Sequence, residues 1–334
     1  MEDAVPRPDT INKLRFGVDA AFALLAGMQL DVFTPLKDGP KTVDQIAEAI
    51  GVGPNRLRLL LYALVSGGLL DVKDGCFANT PEAGRFLVRG SPHYLGGRYS
   101  RSADQWSRKL KTAESIRTGV PQAKLDFSHS PPEELEAFLR RINTQTVVTA
   151  RDLVERCNFS SVRTLADIGG GAGGLAITIT KACPHIKATV IDLPQVTPIA
   201  QKVVEEEGAA DRVKVIAADV VRRPLRGSYD AAVLKNVLQV LSPEDAQKVL
   251  VNISEAINPG GSIYIVGQIL DNSRTSPLEA VGFNLVFINF FETGESYTEQ
   301  QHRDWLTVAG FVEIHRADFV LVGEYGLVTA RKPA

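Results

Sequence analysis

The residues best placed to do chemistry are a glycine run and the carboxylates around it. Asp167-Ile-Gly-Gly-Gly-Ala-Gly-Gly174 stands between Thr164-Leu-Ala-Asp-Ile, which reads as a strand, and a helical stretch running to about Ala182. Glycines at such a corner let the backbone turn sharply and let a ligand approach without obstruction by a Cβ. Asp192 closes the next strand, Ala188-Thr-Val-Ile-Asp, 23 residues after Gly169. A carboxylate there can accept both hydroxyls of a ribose. Asp219 closes a third strand, Val213-Lys-Val-Ile-Ala-Ala-Asp. Ligands of such sheets lie beyond the carboxyl ends of the strands, so Asp167, Asp192 and Asp219 are expected around one crevice. The competing reading of Asp192 and Asp219 is as turn or cap residues.

The spacing alone fits either a dinucleotide or S-adenosylmethionine. A pyrophosphate wants a helix N-terminus with few acids nearby. Asp167, just before the loop, would repel it and suits a sulfonium or an α-amino group instead. Electrostatics therefore favours S-adenosylmethionine.

The elements that must hold these residues alternate. After the third strand come Tyr229-Asp-Ala-Ala-Val-Leu-Lys, a helix over Pro243–Ile257, a turn at Asn258-Pro-Gly-Gly, and the strand Ser262-Ile-Tyr-Ile-Val-Gly-Gln. A helix over Thr298–Ala309 and two closing strands, Phe311-Val-Glu-Ile-His-Arg and Leu321 to Ala330, complete the pattern. Apolar strands alternating with helices make an α/β fold with a parallel sheet covered on both faces. The preceding part is helical. Val18 to Leu30 is apolar on most faces and is expected to be buried. Thr42-Val-Asp-Gln opens a helix with a capping box, and Pro54 starts another. Leu69 to Asn79 forms a hairpin around Lys73-Asp74-Gly75, so the order is that of a winged helix. A helix from Ser130-Pro-Pro-Glu-Glu to about Cys157 reads as a connection. The expected domains are 1–100, a winged-helix domain, 101–157, connecting helices, and 158–334, the ligand-binding sheet.

Composition narrows the function. The 334 residues are 44% hydrophobic and carry 37 Lys and Arg against 39 Asp and Glu, a net charge of −2. That argues against DNA binding by the winged helix, in favour of packing or dimerisation, and leaves no nucleic-acid partner expected. Cys76, Cys157 and Cys183 lie far apart and define neither a disulfide framework nor a zinc site. With no signal peptide and no membrane span readable, a cytoplasmic setting without metal or membrane partner is expected.

Asp-Ile-Gly-Gly-Gly-Ala-Gly-Gly, Val190-Ile-Asp-Leu-Pro, Gly208-Ala-Ala-Asp-Arg-Val, Ala218-Asp, Val233-Leu-Lys-Asn-Val-Leu and Asn258-Pro-Gly-Gly occur in that order. The series resembles the S-adenosylmethionine-dependent O-methyltransferases of the plant caffeate and animal acetylserotonin type and their bacterial small-molecule relatives. Leu30-Asp-Val-Phe and Phe77-Ala-Asn-Thr-Pro-Glu-Ala resemble that family's dimerisation domain. The resemblance implies a Rossmann-like methyltransferase domain with a mostly parallel seven-stranded sheet, preceded by a mainly helical winged-helix dimerisation domain, in a homodimer. It implies that Gly169 and Gly171 lie against the methionine part of the cofactor. Asp192 takes the ribose hydroxyls, Leu193 packs near the adenine, and Asp219 and Val220 meet the adenine amino group. Lys235 sits near the cofactor carboxylate, and Trp106 corresponds to a family aromatic near the cofactor. Ile142 and Phe287 fall where relatives place substrate-contacting side chains; Phe283, Val286, Phe290 and Phe291 accompany Phe287 at helical spacing, Thr146 shares a helix with Ile142, and the competing reading of this group is core or dimer packing.

The family's acid–base set is missing. Where its members show Leu-Lys-x-x-x-His-Asp-Trp, this chain has Leu234-Lys-Asn-Val-Leu-Gln-Val-Leu, with Gln239 at the His. Gly267, with Gln268 beside it, replaces an acid, and Ser296 replaces a Glu one residue from Glu295. A neutral Gln donates and accepts hydrogen bonds but is no base. A general base is worth roughly 10²–10⁴-fold, whereas in-line positioning can supply about 7–11 kcal/mol. The expectation is methyl transfer by proximity to a small aromatic or conjugated acceptor, positioned by Gln239 and Gln268. The alternatives are non-methylating chemistry on the same cofactor (hydroxylation, decarboxylation or a pericyclic step) and a cofactor-sensing DNA-binding regulator. Of the histidines, His93 and His129 read as solvated loop residues, His185 as a surface cap, and His302 and His315 as structural.

Overall fold

The computed structural model describes residues 7–91, 93–96, 102–124, 131–317 and 326–334. His129 and the segment from Leu321 to Tyr325 lie outside the described residues. The chain divides into two compact units, the first ending at Ser107 and the second beginning at Arg108.

In the first unit, α1 (Asp9–Gln29) is followed by β1 (Lys41–Thr42), α2 (Val43–Ile50), α3 (Pro54–Ser66), β2 (Leu70–Lys73), β3 (Cys76–Asn79) and α4 (Pro81–Phe86). Thr42 caps α2 through the Gln45 N–H while Gln45 reaches back, which is the capping box its sequence specifies. Pro54 occupies the first turn of α3. β2 and β3 pair as a hairpin that β1 joins, completing the winged-helix order. Phe33, Ile46, Leu61, Leu64 and Phe77 form its core. The expectation of a buried first helix needs correction. Ala23, Leu25 and Met28 are buried, but Ile11, Leu14, Val18 and Phe22 are 50% exposed or more. A helix apolar on most faces cannot bury them all against one neighbour, and among the described residues this stripe stays at least half exposed even where the Trp106 ring meets Phe22.

The second unit opens with a short helix, Thr112–Thr118, and then α5 (Pro132–Arg156), which lays Leu135, Leu139, Ala150 and Leu153 into the core. β4 (Thr164–Ile168), α6 (Gly174–Ala182), β5 (Lys187–Asp192), α7 (Thr197–Glu206), β6 (Val213–Ala217), β7 (Tyr229–Lys235), α8 (Pro243–Ser254) and β8 (Ile257–Val266) then alternate. α9 (Leu278–Phe290), α10 (Glu299–Val308), β9 (Val312–Arg316) and β10 (Leu327–Arg331) close the chain. The seven strands form one sheet in the order β6-β5-β4-β7-β8-β10-β9. β6 through β8 are parallel, and β10 is antiparallel to both of its neighbours. Strands buried on both faces must be apolar throughout. Along β7, Ala231 and Val233 enter one core while Ala232 and Leu234 enter the other.

Two boundaries differ from the sequence reading. β6 ends at Ala217, so Asp219 lies two residues beyond it. Asn258-Pro-Gly-Gly is not a turn between elements but a bulge inside β8, between the pairs Tyr229↔Ile257 and Ala231↔Ser262. Asn258 holds it by donating to Asp230 Oδ1, and Gly260 supplies the left-handed residue.

The strand order reverses between β4 and β7. Ligands of doubly wound sheets bind at that switch point, beyond the carboxyl ends of the two strands. The glycine run follows β4, and Lys235 and Gln239 follow β7.

Candidate cofactor and acceptor site

Several backbone donors of the glycine run are already engaged. Gly169 N–H donates to the Ile191 carbonyl at 2.8 Å, Gly171 N–H to Asp192 Oδ2 at 2.8 Å, and Gly173 N–H to the Gly170 carbonyl at 2.9 Å. At the start of α6, Gly174 N–H donates to Asn143 Oδ1 at 3.0 Å, and Ala176 N–H to Asp167 Oδ2 at 3.2 Å. Gly169 and Gly171 have φ of 63° and 56°, where a side chain is strained. Two of the helix-terminus donors that a pyrophosphate would use are therefore taken by an amide and a carboxylate. What remains beside the loop is negative charge, which fits a cation.

Asp167 is fully buried beneath the loop rather than facing the crevice, a correction to the picture of three carboxylates around one opening. Loss of solvent pushes its carboxyl up to about 7, opposed by the Ala176 N–H and the charge of Lys235. Asp192 is half-buried at the tip of β5. Its carboxylate accepts from Gly171 and, at 2.7 Å, from the Leu193 N–H, and burial raises its pKa. Leu193 is exposed beside it. Asp219 behaves as a turn residue. Its Oδ1 accepts from Val221 and Arg222 N–H at 3.1 and 3.3 Å, and Oδ2 lies 3.3 Å from Arg222 Nε. The carbonyl of Val220 is held by Asn252 at 2.8 Å.

Across the switch point, Gln239 sits on a single 3₁₀ turn, Leu238–Val240, just after β7. It is 8% exposed, and its Oε1 accepts from the backbone N–H of Gln268 at 2.9 Å. Gly267 makes the approach possible, since a Cβ there would fall 2.6 Å from Gln239 Oε1. A pocket of about 10 Å³ is bordered by Asn236, Gln239, Gly267, Gln268, Tyr297 and His302. His302 is buried, Nδ1 lies 2.8 Å from the Thr298 carbonyl, and burial lowers its pKa to about 4. The imidazole is neutral, with the hydrogen on Nδ1, because a carbonyl can only accept.

The other replaced positions are engaged elsewhere. Ser296 is buried, with Oγ donating to the Ala280 carbonyl and its N–H to Asn284 Oδ1, so it latches its loop to α9. Glu295 pairs with Arg274 at 3.2 Å. Phe287 is buried between Phe283 and Phe291, with ring centroids 5.4 and 5.9 Å away. Ile142 is 37% exposed on α5. Trp106 belongs to the first unit, where its ring meets Phe22 edge-on at 5.2 Å. His93 is exposed near Arg85, and His185 contacts the Phe159 carbonyl at the surface.

The cap from Asn143 and the place of His302 at the same small pocket as Gln239 are not readable from the sequence. Asn143 lies 31 positions before its partner, and a polar residue on the inner side of α5 was the available signal.

A family model described as an O-methyltransferase domain matches residues 116–312, and one described as an O-methyltransferase dimerisation domain matches residues 13–89. The chain is 31% identical to a 3-hydroxy-5-methyl-1-naphthoate 3-O-methyltransferase of Streptomyces sahachiroi, covering 97% of this chain and 95% of that one. It is 28% identical to the tetracenomycin polyketide synthesis 8-O-methyl transferase of Streptomyces glaucescens, covering 98% and 97%. Its fold matches human N-acetylserotonin methyltransferase, solved in complex with SAM, with a TM-score of 0.79 over all of both chains at 23% identity. Among the described residues, no helix is long and apolar enough to cross a membrane.

Proposed function

The chain belongs to the S-adenosylmethionine-dependent O-methyltransferase family, and from that premise we propose how its residues divide the work. Asp192 binds the ribose hydroxyls through the oxygen edges left beside Gly171 and Leu193. Leu193 covers the adenine, and Asp219 and Val220 border its amino group. Gly169 and Gly171 give the methionine part a backbone surface without side chains. Lys235 faces the cofactor carboxylate, and Asp167 supplies buried negative charge opposite the cationic groups. When bound, the cofactor supplies a methyl carbon on a cationic sulfur.

Ile142, Gln268 and Phe287 line the acceptor cavity, and Gln239 orients the acceptor by hydrogen bonding. The acceptor is a small aromatic or conjugated molecule, as in the naphthoate and polyketide relatives. The observation that carries this reading is that Asp192, Asn143 and Asp167 already take the N–H groups of Gly171, Gly174 and Ala176. It favours a cationic ligand over a pyrophosphate. Without a base, the chemical step draws on placement, worth about 7–11 kcal/mol when the reacting atoms are held in line. The protein works as a cytoplasmic homodimer without nucleic-acid or membrane partners.

Calorimetric titration with S-adenosylmethionine and S-adenosylhomocysteine tests the cofactor half, with saturable binding of both expected. Heat with a dinucleotide and none with either adenosyl compound would refute it. Transfer of labelled methyl to hydroxylated naphthoates tests the acceptor half.

A further inference from the structure

The amide of Gln239 has a fixed sense. The backbone N–H of Gln268 can only donate, so the Gln239 atom 2.9 Å from it is the oxygen. The Nε2 amide group points elsewhere. Among the described residues it makes no hydrogen bond, yet it keeps contact with solvent rather than being sealed in the core. What Gln239 holds free to offer a bound molecule is therefore its donor, while its oxygen is already engaged by the Gln268 N–H.

A neutral hydroxyl brought to such a donor still carries its proton. The groups around Gln239 supply no effective base for that proton, since the amides of Asn236 and Gln268 at the same pocket can accept a hydrogen bond but not take the proton. Gly267 has no side chain. Ser296 Oγ is committed to the Ala280 carbonyl. Glu295 is paired with Arg274. His302 borders the same small pocket, but its imidazole, held near 4 by burial, is too weak to deprotonate an ordinary phenol of pKa about 10.

Resting on the methyl-transfer reading above, we propose that the acceptor reaches this site as an oxyanion, a phenol acidified by a conjugated electron-withdrawing group, and that Gln239 Nε2–H recognises that oxyanion. The oxyanion supplies the electron pair of the new O–C bond while the pair of the S–C bond stays on sulfur. The opposite charges cancel, and no proton is left to place. The site thus selects acceptors by acidity as well as by shape.

The probes are 4-nitrophenol, about half ionised near neutral pH, and 4-methylphenol, whose pKa is close to the value of about 10 for tyrosine. The first readout needs no turnover. The full-length protein saturated with S-adenosylhomocysteine is titrated with 4-nitrophenol, and the phenolate absorbance is followed against pH. The bound phenol's pKa should fall by about one unit. The fall should vanish in Gln239→Leu and become a rise in Gln239→Glu, which keeps the size but carries negative charge. Unchanged cofactor binding confirms that each variant is folded. The second readout is kcat/KM against pH. Its rising limb should follow the pKa of whichever phenol is supplied, with 4-nitrophenol favoured near neutrality. Gln239→His should speed 4-methylphenol by roughly 10²-fold, the lower end of what a general base provides. A bound-phenol pKa that does not move, or a limb that stays fixed when the phenol changes, would overturn the proposal and leave the methyltransferase reading standing. Binding of neither phenol would overturn the phenolic class. Failure to bind S-adenosylhomocysteine would overturn the parent reading.

Discussion

A carboxylate with no solvent and one N–H to accept from is an unfavourable place for negative charge. Asp167 is in that position, and its pKa of about 7 lies well above the ordinary value of about 3.9. The sign of the consequence is fixed. Between those values the folded chain holds a proton that the unfolded chain has released, so this residue's contribution to stability falls as pH rises from about 4 to 7. Replacing Asp167 with Asn should flatten that dependence and raise the denaturation midpoint of the cofactor-free protein at pH above about 7 relative to the parent. A parallel decline with pH in both proteins would contradict it. A cationic ligand reverses the preference by favouring the ionised carboxyl. Cofactor affinity should then climb up to tenfold per pH unit below about 7. Calorimetry in buffers of different ionisation heat should show proton release. Asp192 carries a different expectation, because it is half-buried and bonded to two N–H groups at the crevice. Asp192→Ala should weaken cofactor binding at least tenfold, the loss of one hydrogen bond to a charged group. Both carboxylates were legible from sequence because strand ends and glycines mark where a sheet meets its ligand. That Asp167 lies under the loop was not, since burial depends on what packs above it. Here that is Gly170, whose Cβ would stand 2.8 Å from the carboxyl.

The glycine corner is held from two directions, and the second comes from another element. α6 begins at Gly174 with no cap of its own, and α5 supplies one through Asn143. The fit is close, because a Cβ on Gly174 would lie 2.1 Å from Asn143 Oδ1. Asn143→Ala should cost about 1 kcal/mol, the usual worth of a helix cap. Gly174→Ala should cost more by pushing the asparagine away. The double variant should cost less than the two together, because removing the asparagine side chain also removes the clash. Denaturant midpoints for the three proteins decide it, and simple additivity would mean that the two residues do not act as a pair. The alternation of strands and helices was readable along the second unit, since apolar runs punctuated by glycine and proline are local signals. The sense of the sheet's central strands followed from that alternation. Contacts such as Asn143 to Gly174 were not readable, because they join segments distant in sequence. The bulge at Asn258-Pro-Gly-Gly was missed for a related reason. Its residues are those of a turn, and pairing with β7 on both sides keeps them within the strand.

A chain with a net charge of −2 and a pI near 6.3 has little electrostatic repulsion to keep two copies apart. Along α1, Ile11, Leu14, Val18 and Phe22 follow helical spacing and form one exposed stripe, and all but Ile11 fall within the segment that the dimerisation-domain model matches from residue 13. A second copy covering this stripe would account for the apolar pattern that suggests a buried helix, since one chain's pattern records burial without recording which chain provides the cover. Placing Asp at Leu14 and Phe22 together would force two charges into such a contact, and an unpaired buried charge costs several kcal/mol. Light scattering should find the parent chain at twice its 36.2 kDa and the double variant at the single-chain mass. Apart from Trp106, the residues placed near the cofactor lie beyond Arg108, in the second unit. Calorimetric affinity for S-adenosylhomocysteine should therefore survive in the monomeric variant within about threefold, a shift of less than 1 kcal/mol. A double variant that remained dimeric would place the interface on another face, and one that lost cofactor binding while staying folded would mean that dimerisation helps to form the cofactor site.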